Sequence, residues 1–169
     1  MSGIREKFDK LKSSSNFKEW SDDRGDAYLV SIFFLKKPGR KVEEIVFDFY
    51  EPTKDRITSF SVKEGAISRT ENLEILKEKA DSLKELNIDT LDIDESFEHA
   101  IAKAEEVLNK DSRDFVEVFA TLQTLDEEPV WNLTFPIIRE FKVVNVKVSC
   151  RNNKILSNEL MNIFEFRKR

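Results

Sequence analysis

Few residues in this chain have types and spacing that could do chemistry. They are Cys150, His99 and the acidic run DTLDIDESFE between Asp89 and Glu98. A nucleophilic cysteine needs an activating base and partial exposure. Cys150 instead continues the alternation Val144, Val146, Val148, which places it on the apolar face of a strand as a small buried hydrophobe. His99 is the only histidine. With no second histidine and no cysteine cluster it lacks the partners of a zinc site, and it reads as a structural, surface or half-buried side chain. The acidic run (Asp89, Asp92, Asp94, Glu95, Glu98) lacks the glycine and the regular ligand spacing of a calcium loop. Carboxylates at the start of a helix already have a role in capping and in meeting the helix dipole.

Other carboxylate pairs fare no better. Glu43 with Glu44, and Glu127 with Glu128, are adjacent in sequence, so in a strand they point to opposite faces and cannot work as an acid–base pair. The stretch KPGRK (Lys37–Lys41) lacks the spaced glycines and the Lys-Ser/Thr ending of a phosphate-binding loop. The expectation is a non-enzyme with no catalytic residue, no metal and no cofactor. The alternative is a small enzyme or ligand-binding protein with a pocket between sheet and helix, using Cys150, His99 or the acidic run.

The elements that must position these residues follow from composition and pattern. The chain has 169 residues, 40% hydrophobic and 36% charged, with four glycines, four prolines and a single cysteine. That is a globular composition for one domain or two small units sharing a core, built of regular elements and short turns, with no internal disulfide. A net charge of −5 disfavours nucleic acid, where affinity comes chiefly from neutralising phosphates. The ending Arg167-Lys168-Arg169 reads as a solubilising terminus. No stretch reaches the roughly 18 apolar residues of a membrane span, and the N-terminus lacks a signal-peptide apolar run. The expectation is a cytoplasmic chain with no membrane partner.

Ile4, Phe8 and Leu11 predict a short N-terminal helix ended by Ser13-Ser14-Ser15-Asn16, with Trp20 following and then a polar loop, SDDRGD. Strands are predicted over Tyr28–Leu35, Val42–Tyr50 and Ile57–Val62, making an antiparallel meander. Ser68-Arg69-Thr70-Glu71 matches the S-x-x-E capping box and predicts a helix from Thr70 to about Leu86. A second amphipathic helix is predicted from Glu95 to Asn109, with Phe97, Ala100, Ile101, Ala104, Val107 and Leu108 on one stripe. Four strands follow: Phe115–Leu125, Val130–Phe135 ended or bulged by Pro136, Phe141–Cys150, and Ile155–Phe164. Strands in series without crossover helices indicate α+β, with antiparallel sheets packed on helices.

The two halves share a plan of helix, strand, turn, alternating strand, polar turn and strand, with KDRI in one polar turn and NNKI in the other. This predicts two similar helix-plus-meander units over residues 1–67 and 94–169, joined by a connecting helix and turn over 68–93.

The second half, about Asp94–Met161, resembles a PepSY-like domain. The likeness is carried by the helix AIAKAEEVL (Ala100–Leu108), the aromatic-led strand WNLTF and the hairpin VNVKVSCRNNKIL. IVFDFYEPTKDRI takes the hairpin's place in the first half. The chain departs from that family's usual acid and glycine at the last turn, where it has Ser149, Asn152 and Asn153. The resemblance implies a cystatin-like sheet wrapped on a helix and a non-catalytic role, such as binding or restraining another protein.

Fourteen phenylalanines serve cores and interfaces more than chemistry. Consecutive Phe33 and Phe34 point to opposite faces. Phe47 with Phe49, Phe115 with Phe119, and Trp131 with Phe135 are expected on the core side. Trp20, Phe34 (or Phe33) and Tyr50 are the candidate interaction surface. The partner expected is an unknown protein or a second copy of the chain.

Overall fold

The computed structural model describes residues 3–73 and 83–166. It is α+β: helices cover one face of a single eight-stranded antiparallel sheet. Helix α1 (Ile4–Ser13) and α2 (Ser15–Asp22) precede strands β1 (Tyr28–Lys36), β2 (Glu44–Glu51), β3 (Arg56–Lys63) and β4 (Ala66–Leu73). Helix α3 (Ile93–Lys110) precedes β5 (Val118–Leu125), β6 (Glu128–Ile137), β7 (Lys142–Ser149) and β8 (Ile155–Asn162), and a four-residue turn of helix, α4 (Ile163–Phe166), follows. The strand order is β4-β3-β2-β1-β5-β6-β7-β8. The first strand of each half therefore meets the other at the centre, with Phe33 opposite Thr121 and Leu35 opposite Phe119.

Alternation decides which side chains meet the helices. In β2, Ile45, Phe47 and Phe49 are buried while Val46, Asp48 and Tyr50 face the other way, as the pattern predicts. In α3 the buried stripe is Phe97, Ala100, Ala104 and Leu108, and the helix packs on β6 and β7. Two aromatic clusters fill the space between the layers. Phe17 and Trp20 of α2 pack with Phe49 and Phe60 at centroid distances of 5.1–5.8 Å. Phe34, Phe97 and Trp131 pack edge-on at 4.9–5.9 Å. Trp131 is fully buried, and its indole N–H donates to Ser96 Oγ at 3.0 Å, so no polar group is stranded there.

Four expectations need correction. The serine run does not simply end α1: the Ser14 hydroxyl accepts from the Phe17 N–H and starts a second helix, which carries Trp20 into the core. Ser68-Arg69-Thr70-Glu71 opens no helix. It lies in β4, paired with β3 as Phe60 with Arg69 and Val62 with Ile67. The turn before it, Glu64-Gly65, has positive φ at both residues (49° and 82°), the geometry that folds a strand straight back on its neighbour. Pairing thus overrides a local capping signal. The boundary between residues 67 and 68 falls inside that strand. Of the helix expected from Thr70 to Leu86, residues 74–82 lie outside the described residues, and from residue 83 to 92 the chain is an irregular connection.

Pro136, finally, does not end β6, which continues to Ile137 with Pro136 opposite Val143. At that level β5 has not begun, so the missing N–H deprives no neighbour of a hydrogen bond.

Candidate binding face

Of the residues predicted to do chemistry, His99 and Glu95, one helical turn apart, come within ion-pair distance, and neither is bonded to Cys150. Cys150 packs against the core beside Ser96 and Trp131, and burial pushes its thiol pKa up to about 11, the opposite of an activated nucleophile. His99 is half-exposed on α3, with its ring nitrogens 3.3 Å from Asn153 Nδ2 and 3.9 Å from Glu95. Two members of the acidic run serve helix ends. Asp92 caps α3 by accepting from the Glu95 N–H, and Asp94 accepts from the N–H groups of Ile4 and Arg5 at the start of α1. Among the described residues no cluster of three or more His, Cys, Asp or Glu is placed to hold a metal ion.

Two of the three predicted surface residues are interior. Trp20 is 2% exposed, enclosed by Phe17, Phe49 and Phe60 with the Arg24 guanidinium 5.4 Å from its ring. Phe34 is 1% exposed against Phe97 and Trp131. Their neighbours in the strand pattern turn the other way, so Phe33 is the outward member of the Phe33–Phe34 pair at 38% exposure. Tyr50 does face outward. It is half-buried, its hydroxyl donating to Asp55 Oδ1 at 2.7 Å and its ring 5.9 Å from Tyr28.

What the sheet offers instead is its face opposite the helices. Phe33 stacks on Phe119 across the central β1–β5 pair, centroids 6.3 Å apart and planes within 13°. Phe119 was expected on the core side with Phe115. The strand begins only at Val118, so the alternation does not reach back to Phe115, which packs on Phe135 in the interior. Beside the stacked rings lies a hollow of 570 Å³, with Phe33, Phe119, Pro136, Val143 and Ile163 as its apolar lining and Thr121, Asn132, Thr134 and Asn145 as its polar lining. A smaller hollow of 240 Å³ shares Phe33 and is lined by Leu35 and Val46 with Lys37, Arg40, Lys41, Glu43 and Glu44 around the β1–β2 turn.

Several polar groups of this face are satisfied sideways. Asn145 Nδ2 donates to Asn132 Oδ1 and, at 3.0 Å, to Thr134 Oγ1. Asp48 accepts from Ser31 on one side and Ser59 on the other, and Glu44 accepts from Ser61. A face whose amides and carboxylates are already hydrogen-bonded loses less on desolvation than one whose groups depend on water. Sequence reasoning missed Phe119, Pro136, Val143 and Ile163. The signal for Phe119 was the Thr121–Gln123 alternation continuing from it. Ile163 had none, because its place depends on α4 turning over the end of β7.

No family model and no curated protein matches the chain. Among solved structures, the chain is similar to a "putative lipoprotein" from Clostridium difficile 630, with a TM-score of 0.53 and 10% sequence identity over 86% of this chain and 90% of that one. At that identity the likeness is one of fold.

Proposed function

We propose that this chain is a non-enzymatic binding module that holds, and so regulates or restrains, another protein against the sheet face opposite its helices. The observation that carries this reading is the outward Phe33–Phe119 stack beside a hollow lined by apolar side chains and by Asn132, Thr134 and Asn145, which are hydrogen-bonded among themselves. Exposed aromatic surface with depleted free charge is the composition of an interface core. The raised pKa of Cys150, whose hydrogen-bond partners are Ser96 and the Trp131 backbone and not a base, supports the non-enzymatic part.

The palindromic strand order, with β1 and β5 side by side and a helix before each set of four strands, supports an origin by duplication of one PepSY-like helix-plus-meander unit. In such an origin, fusing the two sheets edge to edge makes a face eight strands wide from units that each supply four.

Site-specific photo-crosslinking in the source cells tests the binding reading. A benzophenone side chain at Thr121, in the hollow, is expected to yield one discrete protein adduct, lost when Phe33 and Phe119 are both changed to Ser. The same group at the exposed Glu105 of α3 is expected to yield none. Adducts at Glu105 alone, or none at Thr121, would sink it.

A second reading has its own support. The hollow's 570 Å³ falls within the range of about 300–1,000 Å³ common for small-molecule sites. A small apolar ligand seated there would block labelling at Thr121 without adding protein mass. It differs from the sequence expectation in place, since the space between sheet and helices is filled by Phe34, Phe97 and Trp131.

A further inference from the structure

An open sheet has two edges, and in this chain they are built differently. In β4, Arg69 and Glu71 lie 3.3 Å apart and are tied to α2: Arg69 donates to the Asn16 carbonyl, and Glu71 is 3.6 Å from the Arg24 guanidinium. Charged side chains and a covering helix are devices that keep a strand edge from pairing with another chain. β8, at the opposite edge, has a different make-up. It runs for eight residues with Glu159 as its one charged side chain and with no proline. Of the nine exposed large apolar side chains among the described residues, three belong to this strand: Ile155, Leu156 at 51% and Leu160 at 46%. Between Leu160 and the end of α3 is a hollow of 170 Å³ that Val107, Leu108 and Val144 help to line.

The backbone of β8 says what kind of partner fits. The register that pairs Lys142 with Asn162 sets Phe141 opposite Ile163, and the Ile163 N–H donates to the Phe141 carbonyl at 3.0 Å. Along an antiparallel ladder, residues that bond the neighbouring strand alternate with residues whose backbone groups turn away from it. Ser157, Glu159 and Met161 therefore bond β7. Asn158 and Leu160 turn their N–H and C=O groups outward, past the last strand among the described residues. Backbone groups in that setting are met by another extended strand.

A second copy of β8 supplies that strand without conflict. Antiparallel pairing about a two-fold axis at Leu160 sets that residue opposite itself, Asn158 opposite Asn162, and Glu159 opposite Met161. All of these lie clear of the register shift opposite Lys147. Leucine meets leucine on the helix side, the two asparagine amides can bond each other, and no like charges face one another. Such pairing also closes. Each copy uses its unguarded edge, and both outer edges of the joined sheet are then β4, with its ion pairs and its helix, so assembly stops at two. We propose that β8 is a homodimer interface, through which two copies pair about Leu160 into one continuous antiparallel sheet.

The inference is independent of the binding face, because Leu160 pairs with the core residue Val144 and so lies on the helix side of the sheet. Its consequence for that face is geometric: pairing through β8 sets two copies of the Phe33–Phe119 surface on one side of a shared sheet.

Sedimentation equilibrium and disulfide trapping of the full chain test it. The wild type is expected to pass from 19.8 kDa to twice that mass as its concentration rises. Leu160→Lys puts two ammonium groups at the axis and leaves the β7 ladder intact. It is expected to weaken association by about tenfold or more, with an unchanged circular dichroism spectrum. In a Cys150→Ala background, Leu160→Cys is expected to oxidise to a covalent dimer, because the Cα atoms of a directly opposed, bonded pair are about 5.5 Å apart. Asn158→Cys, opposite Asn162 and not itself, is expected to stay unlinked. A wild type that remains monomeric at its highest soluble concentration overturns the proposal, as does association that survives Leu160→Lys. So does trapping at Asn158→Cys without trapping at Leu160→Cys, which would put the axis elsewhere.

Discussion

The carboxylate of Asp94 accepts the backbone N–H of Ile4 at 2.8 Å and that of Arg5 at 3.2 Å, so the first turn of α3 caps a helix that began ninety residues earlier. The local N-cap of α1 is Gly3, left-handed at φ 70° and without a side chain to offer. The Arg5 guanidinium reaches back across the same junction to the carbonyls of Ile88 and Leu91. The two halves of the chain are joined here on the helix side, as β1 and β5 join them within the sheet.

Asp94→Ala is expected to lower stability by about 1–2 kcal/mol, the range for losing an N-cap acceptor. Asp94→Asn, which keeps one acceptor oxygen, should lose less. Denaturant unfolding followed by circular dichroism measures both. Equal losses for the two variants would mean that charge, not acceptance of the Ile4 and Arg5 amides, carries the effect.

Glu51 is 1% exposed, and its carboxylate is bonded by both Arg24 and Arg56 at the far end of β2 and β3. Removing the anion leaves two guanidinium groups facing an empty site. Glu51→Ala is therefore expected to cost about 3 kcal/mol, the low end for a broken buried pair, because both arginines keep some water. Changing Arg56 to Met in the Glu51→Ala background should recover part of that loss. The melting temperatures of the single and double variants decide it.

The parts of this fold legible in the sequence were those in which one periodicity runs without competition. β2 alternates strictly, Val144, Val146 and Val148 recur at every second place in β7, α3 carries an unbroken stripe from Phe97 to Leu108, and the antiparallel α+β class followed from strands in series. What was not legible depends on partners distant in the chain. Ser68–Glu71 has the spacing of a capping box and the pairing of a strand, and only β3 decides between them. Trp20 was assigned to the surface because serine both ends and begins helices, and Ser14 does both: its N–H bonds the Leu11 carbonyl and its hydroxyl caps α2. The candidate face was half legible. Phe33 or Phe34 had to point outward, but nothing in the sequence said which until the helices were placed.

The thiol of Cys150 gives a pH prediction. Burial raises its folded pKa to about 11, above the unfolded value, so its contribution to stability is fully present below the unfolded pKa and is lost as pH rises through the folded one. The native chain is expected to resist maleimide or disulfide reagents at neutral pH and to react at once when unfolded. Stability should decline as pH climbs from about 8.5 towards the folded value. A Cys150→Ala variant should show a shallower decline. Rapid labelling of the native chain at neutral pH would revive the reading of Cys150 as a nucleophile.

The last prediction sets the two faces of the sheet against each other at adjacent residues. Phe34 is enclosed by Phe97 and Trp131, so Phe34→Ala opens a cavity in the central core and is expected to cost about 3–5 kcal/mol. Phe33 is 38% exposed and touches Phe119 alone among the rings, so Phe33→Ala should cost about 1 kcal/mol, the worth of one aromatic contact and some partial burial. A side chain that contributes little to folding yet keeps an aromatic ring outward is where stability and binding come apart. Phe33→Ala should leave the melting curve nearly unchanged while weakening capture of the partner through Thr121, and Phe34→Ala should do the reverse per folded molecule. Equal stability losses from both would place Phe33 in the core's service and remove the main support for the binding face.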